Sequence, residues 1–515
     1  MGKTFYITTP IYYINSVPHI GHSYTQVAAD TIKRFMRQRG REAYFLTGTD
    51  EHGQKVAIAA EKAGLLPKDF ADGIVEKFKA VWKRLDIDYD YFIRTTGPDH
   101  IKAVQYVLDK LYKKGDLYEG EYSGWYCTPC ESFWTKLQIE DNLCPECKRP
   151  LEEIKETNIF FKLSKYQDKL KNHIKSNPDF IKPRFRANEV LNYLDKPLPD
   201  LCVTRPSSRI SWGIQVPFSK NHVTYVWFDA LLNYITGAGY PYDEEKFKKL
   251  WPADIHLMAK DILRPHCVYW PIMLMALDIE LPKMIFAHGW WVTGGEKISK
   301  SKGKPVDPIE LIDKYGLDAY RYFLLREVEF GSDGAYSEKA LITRINSDLA
   351  NDLGNLLNRS LTMIEKYFSG SIPKPDVVGK HDEELKAKAI CLTASLEVAM
   401  KDLNFSAYLE AVMSVINCAN KYIETRAPWT LFKEGKLNEI AAMLYYLADV
   451  LRMVAIAVYP VMPGAACNMW QQLGMGSDLA KIKADDIGKW GLIKPGVKIN
   501  KGKPLFPRID IKGDK

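Results

Sequence analysis

The chain has 515 residues, of which 46% are hydrophobic and 26% charged, and 71 Lys and Arg against 64 Asp and Glu leave a formal net charge of +7. That composition excludes global disorder, and at about 150 residues per domain the length implies three to four domains instead of one fold. The small basic excess fits a polyanionic partner, but it fits a merely soluble surface equally well.

Met1 to Pro10 holds no basic segment followed by an apolar run, so neither an export signal nor a lipid anchor is expected. Phe5 to Thr8 reads as a strand that Pro10 ends. Ile20, Tyr24, Val27, Ala28, Thr31 and Phe35 then recur at three- and four-residue steps as far as Gly40, which predicts a helix, and a second strand follows at Ala43 to Thr47. Strand, helix and strand make a βαβ unit with a parallel pair, whose ligands gather at the carboxyl ends of the strands. Those ends carry Pro10 to His22 and Gly48 to His52.

Similar strand-to-helix transitions return much later: Val223 to Phe228 into Asp229, Ile255 to Met258 into Lys260 and Asp261, and Lys283 to Ala287 into His288. An insert, roughly Gly115 to Val226, separates the two halves of the nucleotide-type pattern. Beyond Ile345 the texture changes to amphipathic helices, with Ile345, Leu349, Leu353, Leu356 and Ile364 on one face. The most apolar stretch, Ala441 to Cys467, is interrupted by Asp449 and Arg452 and broken by Pro460 and Pro463, which reads as a buried helix and not as a membrane span. Lys494 to Lys515 reads as a return over the surface with a short extended segment at Leu505 to Ile509.

Three clusters carry chemistry. Cys127-Thr-Pro-Cys130 and Cys144-Pro-Glu-Cys147 are separated by thirteen residues, and each turn points two thiolates at one tetrahedral centre. Four such ligands close a structural Zn²⁺ site, and the remaining five scattered cysteines suit a reducing cytosol. Pro18-His19-Ile20-Gly21-His22 opens the first helix, where unpaired N–H groups and the helix dipole favour an anion. His19 and His22 share a face, and Gly21 lets a flat group or phosphate approach the backbone. Two such histidines are as often capping or packing groups as functional ones. Lys297-Ile-Ser-Lys300-Ser-Lys-Gly-Lys304 follows Gly294-Gly295 after a strand pattern, and suits either a mobile loop neutralising a triphosphate or a solvated basic loop. No Gly-x4-Gly-Lys-Ser/Thr loop and no Gly-x-Gly-x-x-Gly fingerprint occurs, which disfavours a P-loop ATPase and an ordinary dinucleotide enzyme.

Together these pieces resemble the class I aminoacyl-tRNA synthetases. His19-Ile-Gly-His22 is similar to their HIGH signature and Lys297-Ile-Ser-Lys300-Ser301 to their KMSKS signature, with Ile298 in the Met slot. Tyr6-Ile-Thr-Thr-Pro-Ile-Tyr-Tyr13, Thr47-Gly-Thr-Asp-Glu-His-Gly53, Tyr225-Val-Trp-Phe-Asp-Ala230 and the cysteine knuckles resemble the methionyl-tRNA synthetase family in particular, over nearly the whole chain. The resemblance implies an α/β Rossmann-like parallel-sheet catalytic domain split by a zinc-knuckle insertion, followed by an all-α anticodon-binding helical bundle. Its expected divisions are residues 1–114 and 226–290 for the two catalytic halves, 115–225 for the insertion, 291–344 for the KMSKS and stem-contact region, and 345–515 for the helical domain.

The resemblance also implies activation of L-methionine by ATP and transfer to tRNA(Met), with Mg²⁺ accompanying ATP and one structural Zn²⁺ on the four cysteines. His19, His22, Lys297 and Lys300 would carry catalysis, with Gly21, Lys260, Asp261, Ser299 and Ser301 on ATP. Asp50 would hold the α-ammonium, and Ile11, Tyr13, Trp227, Ala230, Leu231, Tyr234, Ile262 and His266 would form the amino-acid pocket. Apolar and aromatic walls suit an unbranched thioether. Asn355, Arg359 and Trp429 would read the anticodon, Trp429 by stacking an unpaired base and Arg359 by forking onto base edges. Asn355 and Arg359 are four apart and are expected on one exposed stripe. Two positions depart from the family pattern: Ala259 stands where Gly is usual and Pro265 where an aromatic usually precedes His266. Local repacking is expected there, since Pro is tolerated in a first helical turn. A monomer is expected, because the chain ends without the further C-terminal module of some relatives, and the cysteine pattern and the interrupted apolar stretch lead to the expectation of a cytoplasmic protein without a membrane partner. A leucine, isoleucine, valine or cysteine synthetase and a non-catalytic zinc-ribbon RNA-binding protein are the rival readings. The insert looks too small for branched-chain editing, and the intact His19, His22 and Lys300 oppose the second rival.

Overall fold

The computed structural model describes residues 3–14, 17–128, 130, 132–134, 136, 139–145, 147–293, 296–297 and 306–510, with backbone alone at 132, 133, 293, 296 and 297. It divides into two compact units, residues 1–18 with 43–288 and residues 19–42 with 289–515.

The first unit is built on six parallel strands: β1 (Phe5–Tyr13), β2 (Ala43–Asp50), β3 (Tyr91–Arg94), β4 (Ile181–Lys182), β5 (Ile255–Ala259) and β6 (Ile285–His288). Their order is β3-β2-β1-β5-β6-β4, so the direction of progression reverses beside β1, the place where such sheets bind ligands. Tyr6, Leu46, Ile93, Met258 and Ala287 are buried in the core around it. β1 does not end at Pro10. Thr8 pairs with Leu46 and Ile11 with Gly48, so β1 spends one extra residue over this interval. That bulge absorbs a residue with no N–H to give the ladder. β2 likewise runs past Thr47 to Asp50, and Gly48 allows the close approach of β3: a Cβ there would stand 2.0 Å from the Ile93 carbonyl oxygen.

The expected strand at Val223 to Phe228 is only His222–Thr224, and it pairs antiparallel with Thr204–Pro206, outside the parallel sheet. Tyr225 then opens the short helix Val226–Leu231. The sheet takes its sixth strand, β4, from inside the insert, where two residues ahead of a proline give no periodic signal. The rest of the insert holds the helices Gln167–Ser176 and Arg184–Tyr193 and an antiparallel sheet dominated by the long pairing of Leu117–Cys127 with Glu152–Phe161, at whose far end the four cysteines gather, Cys127 closing its strand.

The second unit contains α1 (Ile20–Gln38), whose C-cap Arg39 is followed by Gly40 at φ +73°, the stop the pattern implies. Trp291–Thr293 pairs antiparallel with Glu296–Lys297, and helices follow from Pro308 onward. Ile345, Leu349, Leu353, Leu356 and Ile364 are all buried. Leu437–Val458 is long and apolar enough to cross a membrane, yet its apolar window is wholly buried. The charges that interrupt it pair with each other, Arg452 Nε donating to Asp449 Oδ1 at 2.6 Å with both side chains buried. Arg452 also donates to the carbonyls of Asp486 and Lys489, and Asp449 accepts from the backbone of Gly491 and Ile493. Leu505 to Ile509 is not a strand. The amide of Asn346 instead holds the Ile509 peptide from both sides, at 2.8 Å each.

Candidate active site

In the second unit, α1 begins with the two imidazoles. His19 is the N-cap residue and accepts the Gly21 N–H at Nδ1 (3.1 Å), while His22 Nδ1 accepts the His19 N–H (3.2 Å). The capping role is therefore real. It also fixes the chemistry: a neutral ring that accepts at Nδ1 carries its proton on Nε2, so both rings present a donor from that atom. The rings stack with centroids 3.9 Å apart, and a Cβ on residue 21 would lie 3.0 Å from His19 Cε1. Only glycine leaves that ring in place. The Ile20 N–H donates to the Val306 carbonyl at 3.2 Å, and Val306 is where the described chain resumes after the lysine-rich segment. Lys297 is described in backbone only, in the strand that precedes the segment, while Ser299, Lys300 and Ser301 lie outside the described residues.

In the first unit, the other expected residues gather at the carboxyl ends of β1, β2 and β5. Ile11 and Tyr13 close β1 half-buried, and Asp50 is buried as the last residue of β2. Lys260 and Asp261 form the turn after β5, Lys260 half-buried and Asp261 exposed. Trp227 is half-buried on Val226–Leu231, beside buried Ala230 and Leu231, and Tyr234 is buried on the next turn. His266 Nδ1 stands 2.9 Å from the Ile262 carbonyl, which can only accept, so the proton is on Nδ1 and Nε2 accepts the Tyr234 hydroxyl at 2.7 Å. Burial pushes the His266 imidazole down to about 4, despite its bond to the Ile262 carbonyl. Burial also pushes the Tyr234 phenol far above its usual range. The wall is thus neutral, aromatic and polarisable, with the Trp227 ring edge-on to His266 at 6.4 Å. Pro265 opens a helical turn, and His266 after it is bonded on both sides.

Two groups here escaped the sequence reading. His256 lies under Tyr234 with ring centroids 4.3 Å apart, accepts the Trp270 indole N–H at Nε2 and donates from Nδ1 to Thr8 Oγ1 at 2.7 Å. Burial, then His266, holds it well below the usual imidazole range. Asp229 accepts from His52 Nδ1 and His100 Nε2, both at 2.7 Å. Asp229 and His52 sit inside motifs quoted above, but only the folded chain brings His100, 129 residues away, to them.

The Sγ atoms of Cys127, Cys130, Cys144 and Cys147 all lie within 4.8 Å of one another. The Cys127–Cys147 and Cys130–Cys144 separations are 3.5 and 3.9 Å. A tetrahedron with bonds of about 2.3 Å has edges of about 3.8 Å, so the donor set fits zinc. In the second unit Asn355 is exposed, Arg359 is half-buried and bonded to Glu424 at 2.6 Å, and Trp429 is 47% exposed. The ion pair of Arg359 gave no local signal, since Glu424 lies on another helix.

A parallel nucleotide-type sheet, a glycine-spaced imidazole pair capping a helix and a separate helical domain define a class I aminoacyl-tRNA synthetase. Residues 5–152 and 149–361 match the model for tRNA synthetases class I (M), and residues 372–513 match that for the anticodon binding domain of methionyl tRNA ligase. The chain is 53% identical over 513 residues to the methionine–tRNA ligase of Caldanaerobacter subterraneus subsp. tengcongensis, covering 99% of this chain and 80% of that one. It is 45% identical over 512 residues to the methionine–tRNA ligase of Thermotoga maritima, covering 99% and 81%. The structure of Mycobacterium tuberculosis methionyl-tRNA synthetase in complex with methionyl-adenylate superposes with a TM-score of 0.94 at 42% identity, over 98% of this chain and 100% of that one. The chain belongs to the methionyl-tRNA synthetase family.

Proposed function

We propose that this chain is a methionine–tRNA ligase acting through the residues described above. The carboxylate of L-methionine attacks the α-phosphate of ATP, the bond to pyrophosphate breaks, and the methionyl group of the adenylate passes to the 3′-terminal adenosine of tRNA(Met), releasing AMP. The observation that carries the reading is the α1 N-terminus, where two Nε2 donors stand at a helix start whose Ile20 N–H is bonded to Val306. This supports a role for His19 and His22 as donors to the phosphates, Gly21 allowing the approach, and for Lys297, Ser299, Lys300 and Ser301 as the segment that neutralises the β- and γ-phosphates. Mg²⁺ enters with ATP, and Lys260 and Asp261 receive the adenosine.

In the first unit Asp50 receives the α-ammonium. Ile11, Tyr13, Trp227, Ala230, Leu231, Ile262 and His266 enclose the side chain, and the Tyr234 hydroxyl, committed as a donor to His266, offers the sulfur a weak polar neighbour. Asn355, Arg359 and Trp429 contact the anticodon, Arg359 by exchanging Glu424 for a base edge. The division of labour follows residues 1–114 with 226–290, 115–225, 291–344 and 345–515. One zinc per chain holds the knuckle, and the enzyme works as a cytoplasmic monomer without a membrane.

Methionine-dependent exchange of pyrophosphate into ATP tests this. Methionine should support rapid exchange and leucine, isoleucine, valine and cysteine should not. Lys300→Ala should lower exchange about 10²- to 10³-fold with the fold intact. Folded, metal-loaded protein that exchanges with no amino acid, or prefers another, refutes it.

A further inference from the structure

Asp229 lies two residues after Trp227 and one before Ala230, and its side chain is 1% exposed. Each of its oxygens has an imidazole partner at 2.7 Å, Oδ2 with His52 and Oδ1 with His100. A carboxylate only accepts, so both ring N–H groups donate to it. Behind His100, Nδ1 lies 2.8 Å from the Thr236 hydroxyl, which is on the turn that carries Tyr234. His52 follows Asp50 by two residues, and the loop it stands on is fixed further by the Trp212 indole, which donates to the Glu51 carbonyl at 2.6 Å. Burial alone would push the Asp229 carboxyl up, but His52 and His100 outweigh it and hold it below the usual carboxylate range.

One anion therefore joins three elements: the end of β2, the first turn of the helix Pro98–Lys113, and the helix Val226–Leu231. Burying an ion and two imidazoles is a poor way to gain stability, since well-packed hydrophobic side chains of similar volume usually do as well or better. What the three directional bonds supply is geometry. None of the three side chains is needed to touch the substrate.

We propose that Asp229, clamped by His52 and His100, is a positioning residue that sets the separation between the ammonium-binding carboxylate of Asp50 and the side-chain wall of Trp227 and Ala230, and thereby sets the affinity for methionine. This rests on the pocket assignment proposed above. The two ends of one small amino acid must be received together, and a displacement of about 1 Å is enough to cost up to about 10²-fold.

The test is pyrophosphate exchange with methionine and ATP varied separately, on His100→Leu and His52→Leu beside His100→Gln and His52→Asn. The amide nitrogens of Gln and Asn take the places of Nε2 and Nδ1 and keep the donor. The Leu variants should raise the methionine KM about tenfold or more, with the ATP KM and kcat within about twofold, and the amide variants should restore most of the loss. Should a Leu variant fail to fold, Thr236→Val decides, since it removes only the outermost hydroxyl; a severalfold rise confined to the methionine KM supports the proposal. Folded variants with an unchanged methionine KM, or with both KM values and kcat moving together, overturn it. Trp227→Ala separates the two ideas. If it raises the methionine KM and the clamp variants do not, the clamp fails and the pocket stands; if nothing raises it, both fail.

Discussion

His266 offers a measurement in which the pocket's electrostatics can be read as stability. In the fold its ring is neutral, donating to Ile262 and accepting from Tyr234, and burial holds it at about 4 against 6.5 when free. Above pH 6.5 both the folded and unfolded rings are neutral and the residue makes no difference to pH dependence. As pH falls below 6.5 the unfolded ring binds a proton that the folded ring refuses, so stability is lost at about 1.4 kcal/mol per pH unit until the folded ring titrates near 4. Between pH 7.5 and pH 5.0 this amounts to about 2 kcal/mol. His266→Gln keeps an acceptor for Tyr234 and a donor for Ile262 but cannot titrate. Urea unfolding of both proteins at the two pH values, followed by tryptophan fluorescence, should show the wild type losing about 2 kcal/mol more than His266→Gln on acidification, because the other titrating groups are common to both and cancel. A difference below about 0.5 kcal/mol would mean that the ring is solvated or charged in the fold, and the neutral-wall account of the pocket would be wrong.

Two further outcomes follow from buried groups. Metal analysis of freshly purified protein should give one zinc per chain, falling below half in Cys127→Ala; a wild type without zinc removes the knuckle. Arg321→Met should cost about 3–5 kcal/mol in urea unfolding, because it takes the fully buried guanidinium from Asp30 of α1 and from the carbonyls of Pro460 and Val461. A loss under about 1 kcal/mol would show that Arg34, already 2.8 Å from Asp30, compensates alone.

What could be read in advance depended on how local the geometry is. Cys127, Cys130, Cys144 and Cys147 converge because two short turns each fix a pair of thiolates, and His19 with His22 meet because three residues make nearly one helical turn. The parallel sheet was legible at β1, β2, β5 and β6, whose apolar runs are bounded by turn signals. It was not legible at β4, a two-residue edge strand, nor in the run of β1 through Pro10, where a bulge overrides the proline. Val223 misled because an apolar run alone does not say which sheet a strand joins. Asp229 stands inside a quoted motif, yet nothing local marks its bond to His100, 129 residues away, or that of His256 to Thr8, 248 residues away, and spacing rules do not reach so far. Arg359 was read as an exposed residue, and its bond to Glu424 depends on a neighbouring helix in the same way.

The ion pair inside Leu437–Val458 has a bearing on how such a chain can change length. Arg452 and Asp449 draw their remaining hydrogen bonds from Asp486, Lys489, Gly491 and Ile493, a stretch with almost no regular structure of its own. Although only Ile487 and Ile493 of that stretch are buried, deleting it would take four hydrogen bonds from the paired charges of an apolar helix. Trimming the chain back through it would therefore destabilise Leu437–Val458 from within.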